Sequence, residues 1–224
     1  RLAYNDIQDT PDGARGVANY LGSPTPSPDG NTVWIPSKFD NIFRGTLRDG
    51  QAREHDRLVR GGLSSIDAVA GTERVGARMD IDDQSHPGAT VFGPRGNVMF
   101  VAHAGSRNVS VIDPILGQPI TRIAVGRAPR GLALSADGNK LFVHNYLDRS
   151  VQIVDVSELT QGGGGITFTN VGTVSSVGVE SLVAEILRGK QFFNDALDDR
   201  LSAQDYLSCA SCHDGGAQDG RVWD

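Results

Sequence analysis

Cysteine is almost absent from this chain: two in 224 residues, Cys209 and Cys212, three positions apart near the C-terminus. So close a pair cannot tie distant segments together, which excludes a disulfide-stapled scaffold and points to local chemistry. Positive charge is also short, with 21 Lys+Arg against 27 Asp+Glu and a net charge of −6. That balance lacks the basic excess a nucleic-acid footprint requires, so no nucleic-acid partner is expected. No window approaches the ~18 uncharged apolar residues of a membrane-crossing helix. Arg1-Leu2-Ala3-Tyr4 lacks the basic and apolar regions of a signal peptide. The expectation is a chain without a membrane-spanning segment, either mature or truncated.

Glycine is what the sequence has in plenty, 28 of 224 residues, above the usual ~7%. The charged fraction is an ordinary 21%, so the composition suggests a turn-dense fold of short strands rather than disorder. Such a fold can arise from repeats, and one is present. The stretch from Phe92-Gly93-Pro94-Arg95-Gly96 returns 42 residues later at Leu134-Ser135-Ala136-Asp137-Gly138. Gly96, Asn97, Phe100, Val101, Arg107, Val109 and Asp113 recur as Gly138, Asn139, Phe142, Val143, Arg149, Val151 and Asp155. A looser copy starts at Ser27-Pro28-Asp29-Gly30-Asn31 and resumes at Ile66-Asp67. Its Gly30 and Asp67 are 37 positions apart, against 17 for Gly96 and Asp113, so it carries about 20 extra residues. They are placed as a polar, basic loop at 44–62.

Each copy holds runs of strand length, such as Gly131–Leu134, Leu141–Val143 and Val151–Val154, separated by Gly/Asp turns. A fourth strand fits Ile120–Val125. Four strands per ~42 residues describe a β-propeller blade, a small sheet that must stack on its neighbours to bury both faces. The fold class read from the sequence is therefore mainly β, with three blades near 19–75, 85–126 and 127–173 inside a region 1–177. Closed propellers need ~4–8 blades, so a part of a larger ring is expected. From 178 to 224 the pattern changes. Glu180 to Asn194 sets Leu182, Val183, Ile186, Leu187 and Phe193 at helical spacing, with Gly189 either admitting a close neighbour or simply tolerated at the surface.

Cys209-Ala210-Ser211-Cys212-His213 fits the C-x-x-C-H pattern of covalent haem attachment. Two thiols at this spacing reach two vinyl groups on one porphyrin edge, and the next imidazole meets the iron. Rival uses have weaker support. A thioredoxin-like pair needs a βαβ setting. Zinc needs four ligands where Cys209, Cys212 and His213 offer three. A disulfide across so short a loop leaves His213 without a role. The sequence thus assigns Cys209 and Cys212 as thioether positions for haem c and His213 as proximal iron ligand.

The arrangement of Phe100-Val101, Ser110-Val111-Ile112-Asp113 and Ala128-Pro129-Arg130-Gly131 resembles the YVTN type of propeller repeat. Arg188-Gly189-Lys190-Gln191-Phe192-Phe193, Arg200-Leu201-Ser202 and Ser208–His213 together are similar to the haem-attachment region of bacterial dihaem cytochrome c peroxidases and MauG-type proteins. The resemblance implies that 178–224 begins a helical c-type cytochrome domain. Two departures stand out: the chain has one attachment motif where those relatives have two, and 11 residues follow His213, fewer than a cytochrome domain uses to wrap a porphyrin. Truncation at Asp224 is the corresponding expectation.

A sixth iron ligand decides between electron transfer and ligand chemistry. Met79, Met99, His55, His86, His103 and His144 are the donors available; Met99, His103 and His144 occupy blade positions and are read as structural, His86 and His55 as solvated loop residues. Arg200 and Arg221 suit propionates or ordinary salt bridges. Tyr206 and Trp223 suit the porphyrin plane or burial against the propeller, and Asp195, Asp198 and Asp199 read as a solvated turn.

The function expected is electron transfer by a periplasmic or extracellular c-type haem protein, with the propeller presenting the haem to a redox partner protein. The resemblance implies an alternative, a peroxidase-like or MauG-like oxidoreductase whose second haem lies outside this chain. A third reading makes the propeller a binding scaffold and the haem an accessory.

Overall fold

The computed structural model describes residues 2, 16–40, 59–81, 83–202 and 205–218. The repeated turns show why strands begin and end where they do. At Ser135–Asn139 the Ser135 hydroxyl donates to Asp137 at 2.5 Å and the Asn139 backbone N–H donates to the same carboxylate at 3.0 Å. Gly138 occupies φ +74°, a conformation that favours glycine. Ser27, Asp29, Gly30 and Asn31 repeat the device with matching bonds of 2.5 and 3.1 Å. In both turns the serine hydroxyl is the first cause holding the aspartate pKa below its ordinary value.

These turns separate short antiparallel strands that form three sheets among the described residues. The first holds β1 (Val17–Asn19), β2 (Thr25–Pro26), β3 (Thr32–Asp40), β4 (Val59–Asp67), β5 (Thr72–Glu73) and β6 (Met79–Ile81), with β1 and β2 both edging β3. The second runs β7 (Pro87–Phe92), β8 (Met99–His103), β9 (Asn108–Asp113), β10 (Gln118–Ala124), each strand pairing the next. The third repeats that order as β11 (Pro129–Leu134), β12 (Lys140–Asn145), β13 (Ser150–Asp155), β14 (Thr169–Ser175). The inner strand β7 lies against β3 on one side and β11 on the other, so the sheets stack face to face as propeller blades do.

Alternation along each strand supplies the glue. Met99 and Val101 face the first sheet and pack with Trp34, Leu63, Met79, Ile81 and Ile112. Phe100 and Ala102 face the third and pack with Val109, Val111, Leu141, Val143 and Val154. Trp34, Phe100 and Phe142 hold one repeat position, and the first two fill successive inter-blade cores. The outer strand of the third sheet leaves Val171 and Val174 exposed.

Val59 to Gly62, counted from the sequence within the inserted loop, instead continue β4. Antiparallel register runs without a break from Thr32↔Asp67 to Asp40↔Val59, so part of the extra length extends the hairpin; the rest of the insert, including His55, lies outside the described residues. The C-terminal helix is also shorter than its apolar spacing suggests. It begins at Ala184, because the Glu180 carboxylate accepts from Arg149 Nε at 2.7 Å and the Leu182 N–H at 2.9 Å while Val183 is extended. With α1 (Ser157–Thr160) after β13, the helices are α2 (Ala184–Phe193) and α3 (Cys209–Cys212). Gly189 sits inside α2 with nothing within 4 Å of where a Cβ would stand, which is the tolerated surface glycine of the two readings. Described residues beyond 177 thus contribute two short helices, and α2 buries none of its side chains.

Candidate haem-attachment site

The segment leading to the cysteines retraces the blades in reverse order. On the third sheet, Arg149 pairs with Glu180, Lys190 Nζ donates to the Tyr146 hydroxyl at 2.9 Å, and Gln191 donates to the Leu147 carbonyl at 3.2 Å. On the second, Arg107 pairs with Asp195, the Ala196 N–H donates to the Gly105 carbonyl at 3.0 Å, and Ser106 Oγ donates to the Asp205 carbonyl at 3.3 Å. Leu147 and Gly105, like Arg149 and Arg107, are the same repeat positions. One hairpin geometry is used twice.

On the first sheet the segment reaches α3. Ala210 and Ser211 are buried, whereas Cys209 and His213 are exposed and Cys212 is partly so. The Ser208 N–H donates to Ser211 Oγ at 3.1 Å, and the His213 N–H closes the turn on the Cys209 carbonyl at 2.9 Å. Beneath it, Lys38 Nζ donates to the Ser211 carbonyl at 3.2 Å and the Tyr20 hydroxyl donates to the Cys212 carbonyl at 2.7 Å. Lys38 is 1% exposed, lies 3.3 Å from Asp40 and sits 3.7 Å from the centre of the Tyr20 ring. Burial is the first cause raising the Tyr20 pKa.

Cys209 and Cys212 are not joined in a disulfide. His213 Nδ1 lies 2.9 Å from the Ala217 carbonyl. A carbonyl only accepts, so Nδ1 carries a proton, and in the neutral ring the lone pair is then on Nε2. That arrangement orients metal-bound histidines generally. Among the described residues no group of three or more His, Cys, Asp or Glu is arranged to hold a metal ion. Thioether bonding to the rim of a flat macrocycle needs no convergence on one point. Two thiols and an imidazole are the donor types that the expected haem would call on at Cys209, Cys212 and His213. The cavity between turn and propeller, lined by Tyr20, His86, Gly105, Arg130, Ser211 and Asp214, measures about 230 Å³, below the ~300–1,000 Å³ of ordinary ligand pockets. Cys209 and His213 lie on the exposed side of the turn.

Other donors are scattered. Met99 and His103 are fully buried in β8, as their repeat positions imply, and Met79 belongs to the first inter-blade core. His144 is exposed on β12 near the Tyr146 ring. His86 is not the solvated loop residue the sequence suggests: its Nδ1 is buried without a partner, its ring meets Tyr20 edge-on, and burial lowers its pKa to about 4. Asp195 is likewise buried and paired with Arg107 rather than solvated. Arg200 pairs with Asp198 at 2.5 Å, and Tyr206 is buried. Arg221 and Trp223 fall outside the described residues. The sequence reading missed Tyr20 and Lys38. A lysine in β3, where the other repeats carry Ala104 and Tyr146, is the one signal that marks the seat.

No family model matches the sequence, and no curated protein matches it. Solved structures do. The Kuenenia stuttgartiensis hydrazine synthase aligns with 63% of this chain and 47% of its own, at TM-score 0.54 and 17% identity. The likeness is one of fold. A putative 6-phosphogluconolactonase from Bacteroides uniformis aligns with 71% of this chain and 42% of its own, at TM-score 0.49 and 18% identity. The Cps50 (Swd1) β-propeller domain of Myceliophteria thermophila aligns with 69% and 59%, at TM-score 0.46 and 14% identity. The chain spans about half the length of the solved structures it matches.

Proposed function

We propose that the chain is part of an extracytoplasmic c-type haem protein that transfers electrons, with the propeller blades as the scaffold that presents the haem to a redox partner protein. The observation that carries the reading is the Cys209-x-x-Cys212-His213 turn, with Cys209 and His213 exposed, no disulfide between the cysteines and an Nδ1 already committed to Ala217. A haem held there supplies an iron that cycles between ferric and ferrous states. The chain's own residues hold the thiols on one side of a seated turn and leave His213 Nε2 available. The periplasmic or extracellular location follows from the chemistry, since thioether formation in bacteria is completed outside the cytoplasm.

A pyridine haemochrome spectrum of the denatured protein, produced with a cytochrome c maturation system, tests the reading. One covalent haem per chain is expected, lost in Cys209→Ser/Cys212→Ser. A protein that matures without haem sinks it. The match from Arg188 to His213 favours a second reading, peroxidase-like or MauG-like chemistry. Peroxide turnover with an electron donor, together with a reduced spectrum that carbon monoxide changes, selects that reading over the carrier.

A further inference from the structure

We infer that Lys38 of the first sheet and Tyr20, which follows β1 directly, are positioning residues for His213, fixing the peptide planes from which its imidazole projects; the part of this that concerns haem rests on the function proposed above.

A short helix leaves its last carbonyls without donors inside the helix. In α3 those of Ser211 and Cys212 are met by groups almost the whole chain away, Lys38 Nζ and the Tyr20 hydroxyl. The consequence is geometric. The Cys212 carbonyl and the His213 N–H belong to one rigid peptide plane. Tyr20 holds its oxygen side at 2.7 Å and the Cys209 carbonyl holds its N–H side at 2.9 Å. Lys38 holds the preceding plane through the Ser211 carbonyl. With Nδ1 tied to Ala217, the ring is constrained from its backbone and from its own far side.

Lys38 is an unusual choice for this place. A buried ammonium is tolerated only where its protons are met, and here they face Asp40, the Ser211 carbonyl and the Tyr20 ring. Tyr20 holds φ +48°, uncommon for so large a side chain, with its N–H bonded to Asn19 Oδ1. Both residues are thus kept in costly settings, and both bond to α3. Lys38 offsets the Asp40 carboxylate 3.3 Å away, so its removal would leave an anion that favours the ferric, more positive state of an iron held by this turn.

Tyr20→Phe and Lys38→Met test the inference, with amide hydrogen exchange at His213 as the first readout in haem-free and haem-bearing protein. Tyr20→Phe keeps the ring under Lys38 and removes one hydrogen bond. His213 exchange should quicken about fivefold, the factor one neutral hydrogen bond yields, while β8 and β12 amides keep their protection. Lys38→Met should quicken it at least as much and, at unchanged haem content, lower the reduction potential. If Lys38→Met fails to fold, Tyr20→Phe decides alone. Unchanged His213 exchange in a folded Tyr20→Phe protein overturns the inference. A haem-free product overturns the functional reading while the exchange result still tests the hold on the turn.

Discussion

His103 shows how one buried side chain ties the fold to pH. Its Nδ1–H donates to the Ser85 carbonyl at 2.7 Å, its Nε2 is buried without a partner, and burial lowers its pKa to about 4, with Arg122 and His86 acting in the same direction. The folded value lies below the ~6.5 of an exposed histidine. Protons therefore bind the unfolded chain first, and stability, whole above pH ~6.5, declines as pH falls towards 4. Urea unfolding across that range should show the decline. His103→Asn, which installs the residue found at the same position of the next repeat, should lessen it and leave the share of His86, whose pKa burial likewise lowers to about 4; an unchanged slope would count against this account. The structural reading of Met99 and His103 was legible because the repeat aligns them with Leu141 and Asn145. Burial of His86 and Asp195 was not, because loop residues gain their cover from a segment about a hundred residues away.

At the scale of elements, Arg107 and Arg149 carry the most weight. They align in the repeat, both sit at positive φ, +49° and +52°, and each binds a carboxylate of the C-terminal segment. Their repetition was visible; their partners were not, since Glu180 and Asp195 belong to no repeat. Arg107→Ala should cost about 2–3 kcal/mol, because it strands the buried Asp195 carboxylate. Arg149→Ala should cost about 1 kcal/mol or less, as its pair is partly exposed. Limited proteolysis should then cut near 195–205 in the first variant while the sheets survive. Gly105→Ala tests the same dock from the other side: a Cβ there would stand 2.9 Å from Ser85 Cβ and 3.3 Å from Ala196 Cβ, so faster cleavage is again expected. Cleavage at the wild-type rate in both variants would show that the segment is held elsewhere. The strands themselves were readable from turn chemistry and alternation. The start of α2 was misplaced because Glu180 meets Arg149 instead of opening a helix.

The whole molecule is a stack whose cohesion lies between sheets. Phe100 and Phe142 share a repeat position, yet Phe100 is sealed between the second and third sheets and Phe142 is only half-buried. Phe100→Ala should cost about 3–5 kcal/mol, and Phe142→Ala less than half as much, by urea unfolding. Equal losses would argue against the stacked-blade account. The 42-residue period made this architecture legible, whereas the seat of α3 had no local signature: Tyr20 and Cys212 are 192 positions apart.

That separation bears on how the chain matures. During synthesis the three sheets emerge ahead of α3 and can stack on one another first, so the berth at Lys38 and Tyr20 can be ready before the thiol-bearing residues reach it. Loop closure over so long a contour is slow. If the proposed haem is attached by an enzyme, one arriving early would meet a floppy peptide tail and one arriving late a docked turn; the order of those two events would be set by how fast the berth is filled.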